Sequence, residues 1–105
     1  LKVSALAQAN FIPVVNHVWG SAVSIATNLH LLTAQPDMPG GLFPLKSMLE
    51  FDTTEKNIFI TDLPTESFSI LEQVKENNGF ASVSDNPGIG IIPNLDFIKE
   101  FEVNE

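Results

Sequence analysis

Cysteine and arginine are both missing from these 105 residues. Without cysteine there are no disulfides, no thiolate chemistry and no cysteine-based zinc site. That absence fits a reducing compartment, and a cytoplasmic location is the expectation. Without arginine, the cations are lysines alone, 5 of them against 13 acidic residues, for a net charge of −8. Nucleic-acid binding needs a basic stripe, and there is none. An acidic surface also disfavours an anionic membrane. No apolar run approaches the length of a spanning helix. No charged n-region, apolar h-region and cleavage site open the chain. Internal repeats and low-complexity tracts are absent too. What is present is a chain 44% hydrophobic, rich enough for a core and too apolar to read as disordered. Its length is that of one ordinary domain. It begins with Leu1 and runs straight into a helical pattern, so the expectation is a piece of something longer.

Residues 2–10 (KVSALAQAN) read as the end of a helix, with Val3, Leu6 and Ala7 on one face and Asn10 as the stop. Residues 11–16 (FIPVVN) have the continuous apolar character of a strand buried on both faces. Pro13 is tolerable near a strand start. Gly20 then breaks the chain and Ser21 can cap a helix. From Ser21 to Ala34 the apolar residues Ala22, Ile25, Ala26, Leu29 and Leu32 form a stripe at helical spacing. The glycines and prolines of Pro36–Gly41 end it. Residues 47–51 (SMLEF) are a second strand candidate. Helix, strand, helix, strand with short connections is the order of an α/β parallel sheet. After Asp52 the pattern changes. A short strand is expected at Ile58–Ile60, loop with at most one irregular turn at 61–79, and a strand with one wet face at Phe80–Ser84. Residues 85–90 (DNPGIG) carry turn chemistry, and Asn94 can cap a last helix with Leu95, Ile98 and Phe101 on one side. Two parallel strands alone leave unpaired edges, so further strands must come from elsewhere in a longer chain or from a partner.

Two ionisable residues, His17 and Glu50, stand at the C-terminal ends of the two predicted strands. Active sites of barrels and open α/β sheets lie at those ends, so neighbouring strands would aim both at one mouth. A lone histidine after a strand is more often a hydrogen-bonded turn residue. A glutamate flanked by Met48, Leu49 and Phe51 is harder to assign to structure, because a carboxylate on a buried strand must be paired or protonated. Trp19 could stack on a ligand, although an aromatic at a strand end more often packs. His30, inside the helix beside the apolar stripe, reads as structural. Asp52 reads as a solvated loop carboxylate. The Pro87–Gly90 segment lacks phosphate-loop spacing and no helix opens directly after it. His17 and Glu50 come from separate elements with no third ligand evident, so no metal site is expected in this chain.

Several stretches in order resemble the C-terminal part of enolase-superfamily enzymes of the mandelate racemase and muconate lactonizing enzyme type. Residues 5–31, with the His17-Val18-Trp19-Gly20 step, look like the sixth helix, seventh strand and seventh helix of that barrel. Residues 48–52 (MLEFD) look like its eighth strand. Asn57 falls at about the spacing of the family's Asn-Pro step, with Ile58 in place of the proline. Residues 77–91 look like the family's tail, where a Pro-Gly-x-Gly turn leads to a last helix. The resemblance implies the C-terminal portion of a modified TIM-type (β/α)7β barrel. Residues 1–52 would be its last βα units, with strands seven and eight. Residues 53–105 would be a segment with short strands and a final helix that packs on the cap domain.

It also implies a chemistry. A Mg²⁺ ion binds a substrate carboxylate and a base removes the proton α to it. In the mandelate racemase branch the histidine ending the seventh strand carries over onto His17, as base or acid. The glutamate ending the eighth strand carries over onto Glu50, holding the developing oxyanion. That second role calls for a protonated or strongly hydrogen-bonded carboxyl, which apolar neighbours favour. The metal ligands, the aspartate partner of the histidine and a lysine pair would all lie upstream of Leu1. The 105 residues alone are therefore expected to be inactive. The expectation for the whole enzyme is a Mg²⁺-dependent acid-sugar dehydratase, with Trp19 as a candidate substrate contact, assembling as a homo-oligomer. A racemase or epimerase of a 2-hydroxy acid is the alternative. A non-catalytic, truncated barrel fragment is the competing reading from a different class.

Overall fold

The structure is a computed structural model that describes residues 1–35, 37, 45–54, 56–65 and 69–103. In chain order its elements are α1 (Lys2–Ala9), β1 (Val15–Val18), α2 (Ala22–Thr33), β2 (Met48–Phe51), α3 (Ile58–Thr61), α4 (Ile70–Glu76) and α5 (Leu95–Lys99). The Pro36–Gly41 break expected between α2 and β2 lies, apart from Asp37, outside the described residues.

The end of α1 decides where β1 begins. Asn10 occupies the C-cap, and its side chain donates to the Leu6 carbonyl at 2.9 Å. The left-handed residue is the next one, Phe11, at φ 56°. Its N–H reaches the Gln8 carbonyl and the Ile12 N–H reaches that of Ala7, the paired bonds of a Schellman closure. Phe11 and Ile12 therefore belong to the helix end. The strand expected at 11–16 forms instead at Val15–Val18, and His17 sits within it.

β1 and β2 pair in parallel, with Val15 opposite Met48, Asn16 opposite Leu49, His17 opposite Glu50 and Val18 opposite Phe51. Helix α2 covers one face of this ribbon. Ala22, Ile25, Ala26, Leu29 and Leu32 are its buried residues, the stripe read from the sequence. Val18 joins their cluster, and Leu49 and Phe51 pack against it. Because side chains alternate along a strand, Val15, His17, Met48 and Glu50 take the opposite face, and all four are exposed.

The tail corrects several expectations. Residues 58–60 form α3, not a strand. The Asn57 side chain accepts from the Phe59 N–H at 3.2 Å, capping the turn, and Ile60 is carried into the core at 3% exposure. The β-branched pair loses to the cap and to burial. The stretch read as loop holds α4, where the Ser69 hydroxyl accepts from the Glu72 N–H, the Ser-x-x-Glu spacing of a capping box. The short strand expected at 80–84 is not formed. Gln73 of α4 accepts from both the backbone N–H and the hydroxyl of Ser82, so that donor serves a side chain, while Ala81 and Val83 pack on the core. Antiparallel contacts around Pro64 and Pro93 tie the tail down, with the Thr65 N–H on the Ile92 carbonyl and the Asn94 N–H on that of Leu63. Asn94 caps α5 through bonds from the Asp96 and Phe97 N–H groups. The side positions expected for α5, Leu95, Ile98 and Phe101, are exposed. Among the described residues, no helix is long and apolar enough to cross a membrane.

Candidate active site

The open face of the ribbon carries the two residues singled out by strand position. His17 and Glu50 are register partners, and His17 Nδ1 lies 3.5 Å from Glu50 Oε2. Parallel pairing in this register produces the approach, and a one-residue slip would send one of the two to the α2 face. The distance is that of an ion pair and is long for a hydrogen bond. The side chains are 62% and 71% exposed, so the contact itself adds at most about 1 kcal/mol to stability. Its chemical content lies in orientation. Nδ1 faces the carboxylate, which leaves Nε2 as the nitrogen free to meet a proton on the open side.

The apolar neighbours of Glu50 do not enclose it. Leu49 and Phe51 point to the α2 face, as alternation requires, and Met48, on the Glu50 side, is 50% exposed. Burial by those neighbours, expected from the sequence, is absent in this chain. Trp19, the low-ranked candidate for substrate contact, is 76% exposed. Asp52 turns back on its own loop: Oδ1 accepts from the Thr54 N–H at 2.9 Å. Bonds from the Thr54 backbone N–H and then the Thr54 hydroxyl hold its carboxyl below the usual aspartate range against an opposing effect of desolvation. His30 Nε2 lies 3.3 Å from the Ile89 carbonyl, tethering α2 to the tail turn. In that turn Gly90 has φ +74°, and a Cβ there would meet the Ser84 Cβ at 2.4 Å. The Pro87–Gly90 segment is thus a tight structural turn, and the next helix opens only at Leu95.

Two supports of the site were not evident in the sequence. Behind His17, the Asn16 side chain donates to Asn28 Oδ1 of α2 at 3.0 Å, and Asn28 donates to the Ser24 carbonyl. Beyond the strand ends, Asn57 Nδ2 donates to the Gly20 carbonyl at 3.4 Å. An asparagine just before an apolar helical turn was a signal for the Asn57 cap, but nothing in the sequence indicated its reach to Gly20.

The donor set does not fit a resident Mg²⁺. Such an ion takes near-octahedral oxygen ligands. Among the described residues, the open face offers the single carboxylate of Glu50 beside an imidazole, and the Asp52 carboxylate is committed to Thr54. No group of three or more His, Cys, Asp or Glu side chains is placed to hold a metal among the described residues.

The chain is similar to D-galactarolactone cycloisomerase of Agrobacterium fabrum (strain C58 / ATCC 33970). The identity is 31% over 102 residues, which are 97% of this chain and 25% of that protein. The similarity supports the enolase superfamily. It does not reach the mandelate racemase branch within it. The chain spans about a quarter of the relative's length. No protein-family model matches, and no solved structure matches.

Proposed function

We propose that this chain is the C-terminal portion of an enolase-superfamily enzyme that abstracts the proton α to a carboxylate. The observation that carries the proposal is the in-register placement of His17 and Glu50 on one exposed sheet face, 3.5 Å apart. His17, oriented through Nδ1, serves as the proton-transfer group at Nε2. As the α-proton leaves, negative charge grows on the substrate's carboxylate oxygens, and the role the resemblance gives Glu50 is to hold that oxyanion through a hydrogen bond. Its 3.5 Å spacing from His17 leaves it free for such a contact. Trp19, exposed just past His17, is the substrate-facing aromatic of this reading. Mg²⁺ belongs with the reading and would stabilise charge on the substrate carboxylate, held by ligands outside these 105 residues. The rest of the barrel, a cap domain and a homo-oligomeric assembly complete it.

Dehydration of an acid sugar is the leading outcome: His17 takes the α-proton and then delivers a proton to the departing β-hydroxyl. Racemisation or epimerisation would instead need a second base on the opposite side of the substrate. The similarity to a D-galactarolactone cycloisomerase favours a further reading, in which the substrate is a sugar lactone and the same α-proton is removed as the ring opens. These outcomes share their first step, so exchange of the α-proton with deuterium oxide tests them together. With D-galactarolactone and D-galactarate as probes, the full-length protein is expected to exchange that proton. His17→Asn is expected to lower the rate by about 10²–10⁴-fold. Full exchange in His17→Asn would remove His17 from the chemistry. Product analysis by NMR then separates elimination, inversion and ring opening.

A further inference from the structure

We infer that Asn57 is a positioning residue that ties the exit of β1 to the start of α3, the element that follows β2, and thereby holds His17 against Glu50; its catalytic consequence rests on the function proposed above. The parallel ladder ends at Val18 and Phe51. Beyond it, one carboxamide joins the turn after β1 to the segment after β2. Asn57 Nδ2 donates to the carbonyl of Gly20, in the turn that leaves β1, at 3.4 Å. On the β2 side the chain leaves through Asp52, whose carboxylate accepts from the Thr54 N–H at 2.9 Å. Asn57 Oδ1 accepts from the Phe59 N–H at 3.2 Å. Its backbone carbonyl accepts from the Ile60 and Thr61 N–H groups at 2.8 and 3.1 Å. Asn57 is thus anchored at the start of α3, whose Ile60 lies in the core at 3% exposure.

The residue type fits this task. The carboxamide must donate to a carbonyl and accept from an N–H, and asparagine has both a donor and an acceptor. Aspartate could cap α3 but would donate nothing and would repel Asp52. Serine could cap α3 but is too short to reach Gly20. Either substitution leaves the helix cap in place and removes the tie to the β1 exit. A change of that size at a strand tip matters to catalysis because displacing a reacting group by about 1 Å costs on the order of 10²-fold in rate.

The test compares Asn57→Ser and Asn57→Asp with the unmodified full-length protein. The first measurement needs no ligand. With isotope-labelled histidine, the nuclear Overhauser contact between the His17 ring and the Glu50 side-chain methylenes is expected in the unmodified protein and lost in both variants. The second is α-proton exchange on D-galactarolactone and D-galactarate, where kcat is expected to fall on the order of 10²-fold with KM within about twofold. A merely structural role would lower the melting temperature and the amount of active protein without this split. Retention of the Overhauser contact in both variants, or an unchanged kcat, overturns the inference. Full α-proton exchange in His17→Asn would instead overturn the function, and the Overhauser measurement would still decide the role of Asn57.

Discussion

The ring nitrogens of His17 are made unequal by strand register. Nδ1 is opposite Glu50 and Nε2 is open, which is the arrangement a proton-transfer histidine needs. Glu50 is expected to matter after binding. Glu50→Gln should lower kcat by about 10²-fold and leave KM within a few-fold, because its contact strengthens as charge develops in the transition state. Steady-state kinetics check this, and a rise in KM alone would place Glu50 in ground-state binding. Asp52 gives a prediction on pH. Its folded-state value lies below the ordinary one, mainly through the Thr54 N–H. The stabilisation it brings to the strand exit is therefore present above the unfolded value of about 3.9 and fades as pH falls through the lower folded value. Carboxyl-carbon NMR should show Asp52 titrating below an ordinary aspartate. Thr54→Pro, which removes the N–H and the hydroxyl together, should return it toward the usual range. An ordinary titration in the unmodified protein would mean that the 52–54 turn does not form.

Helix α2 is the element that makes the ribbon one-sided. Its buried stripe takes the Val18, Leu49 and Phe51 face and leaves the His17 and Glu50 face open. Ile25 is fully buried at its centre. Truncation to alanine should cost about 2–5 kcal/mol by loss of transfer energy and creation of a cavity, read as a shift in the denaturation midpoint of the full-length protein. Val23, on the opposite side of α2 and 37% exposed, should tolerate the same truncation within about 0.5 kcal/mol. Equal costs at the two positions would contradict the packing described. The tail reaches this core through α3 and α4, whose Ile60, Ile70 and Leu71 pack with α2. Damage there should loosen the site indirectly through Asn57.

For the chain as a whole, surface and shape argue that more protein belongs around it. Its accessible surface is 7674 Å², against about 5,800 Å² for a compact monomer of this mass. Its radius of gyration is 15.8 Å, against about 13 Å for a compact domain of this length. Large apolar side chains lie exposed along α1, on the open sheet face and along α5, among them Leu6, Val15, Met48, Leu95 and Phe101. A two-stranded parallel ribbon with free edges is not an independently stable sheet. Residues 1–105 expressed alone should therefore show no sharp cooperative unfolding transition as a monomer. Calorimetry combined with sedimentation would check this, and a cooperative monomeric transition would count strongly against the barrel-portion reading.

Periodicity was sufficient for α2, for the position of β2 and for the α/β order, because apolar spacing along a helix or strand is a local property of the chain. The asparagine caps of α3 and α5 were equally local, although only the second was read in advance. The nearness of His17 and Glu50 was conditional in the sequence, since it required the two strands to be neighbours in one register. The pairing settled that condition. The residues misread as strands failed for a tertiary reason. Ile58 and Ile60 have strand propensity, but the Asn57 cap and the burial of Ile60 outweigh it, and Ser82 gives its backbone donor to Gln73. The exposure of Glu50 was beyond any reading of its neighbours in sequence, because alternation sends Leu49 and Phe51 to the far face and none of the described residues covers the near one. The tie from Asn57 to Gly20 spans 37 residues, and only the folded chain brings its two ends together.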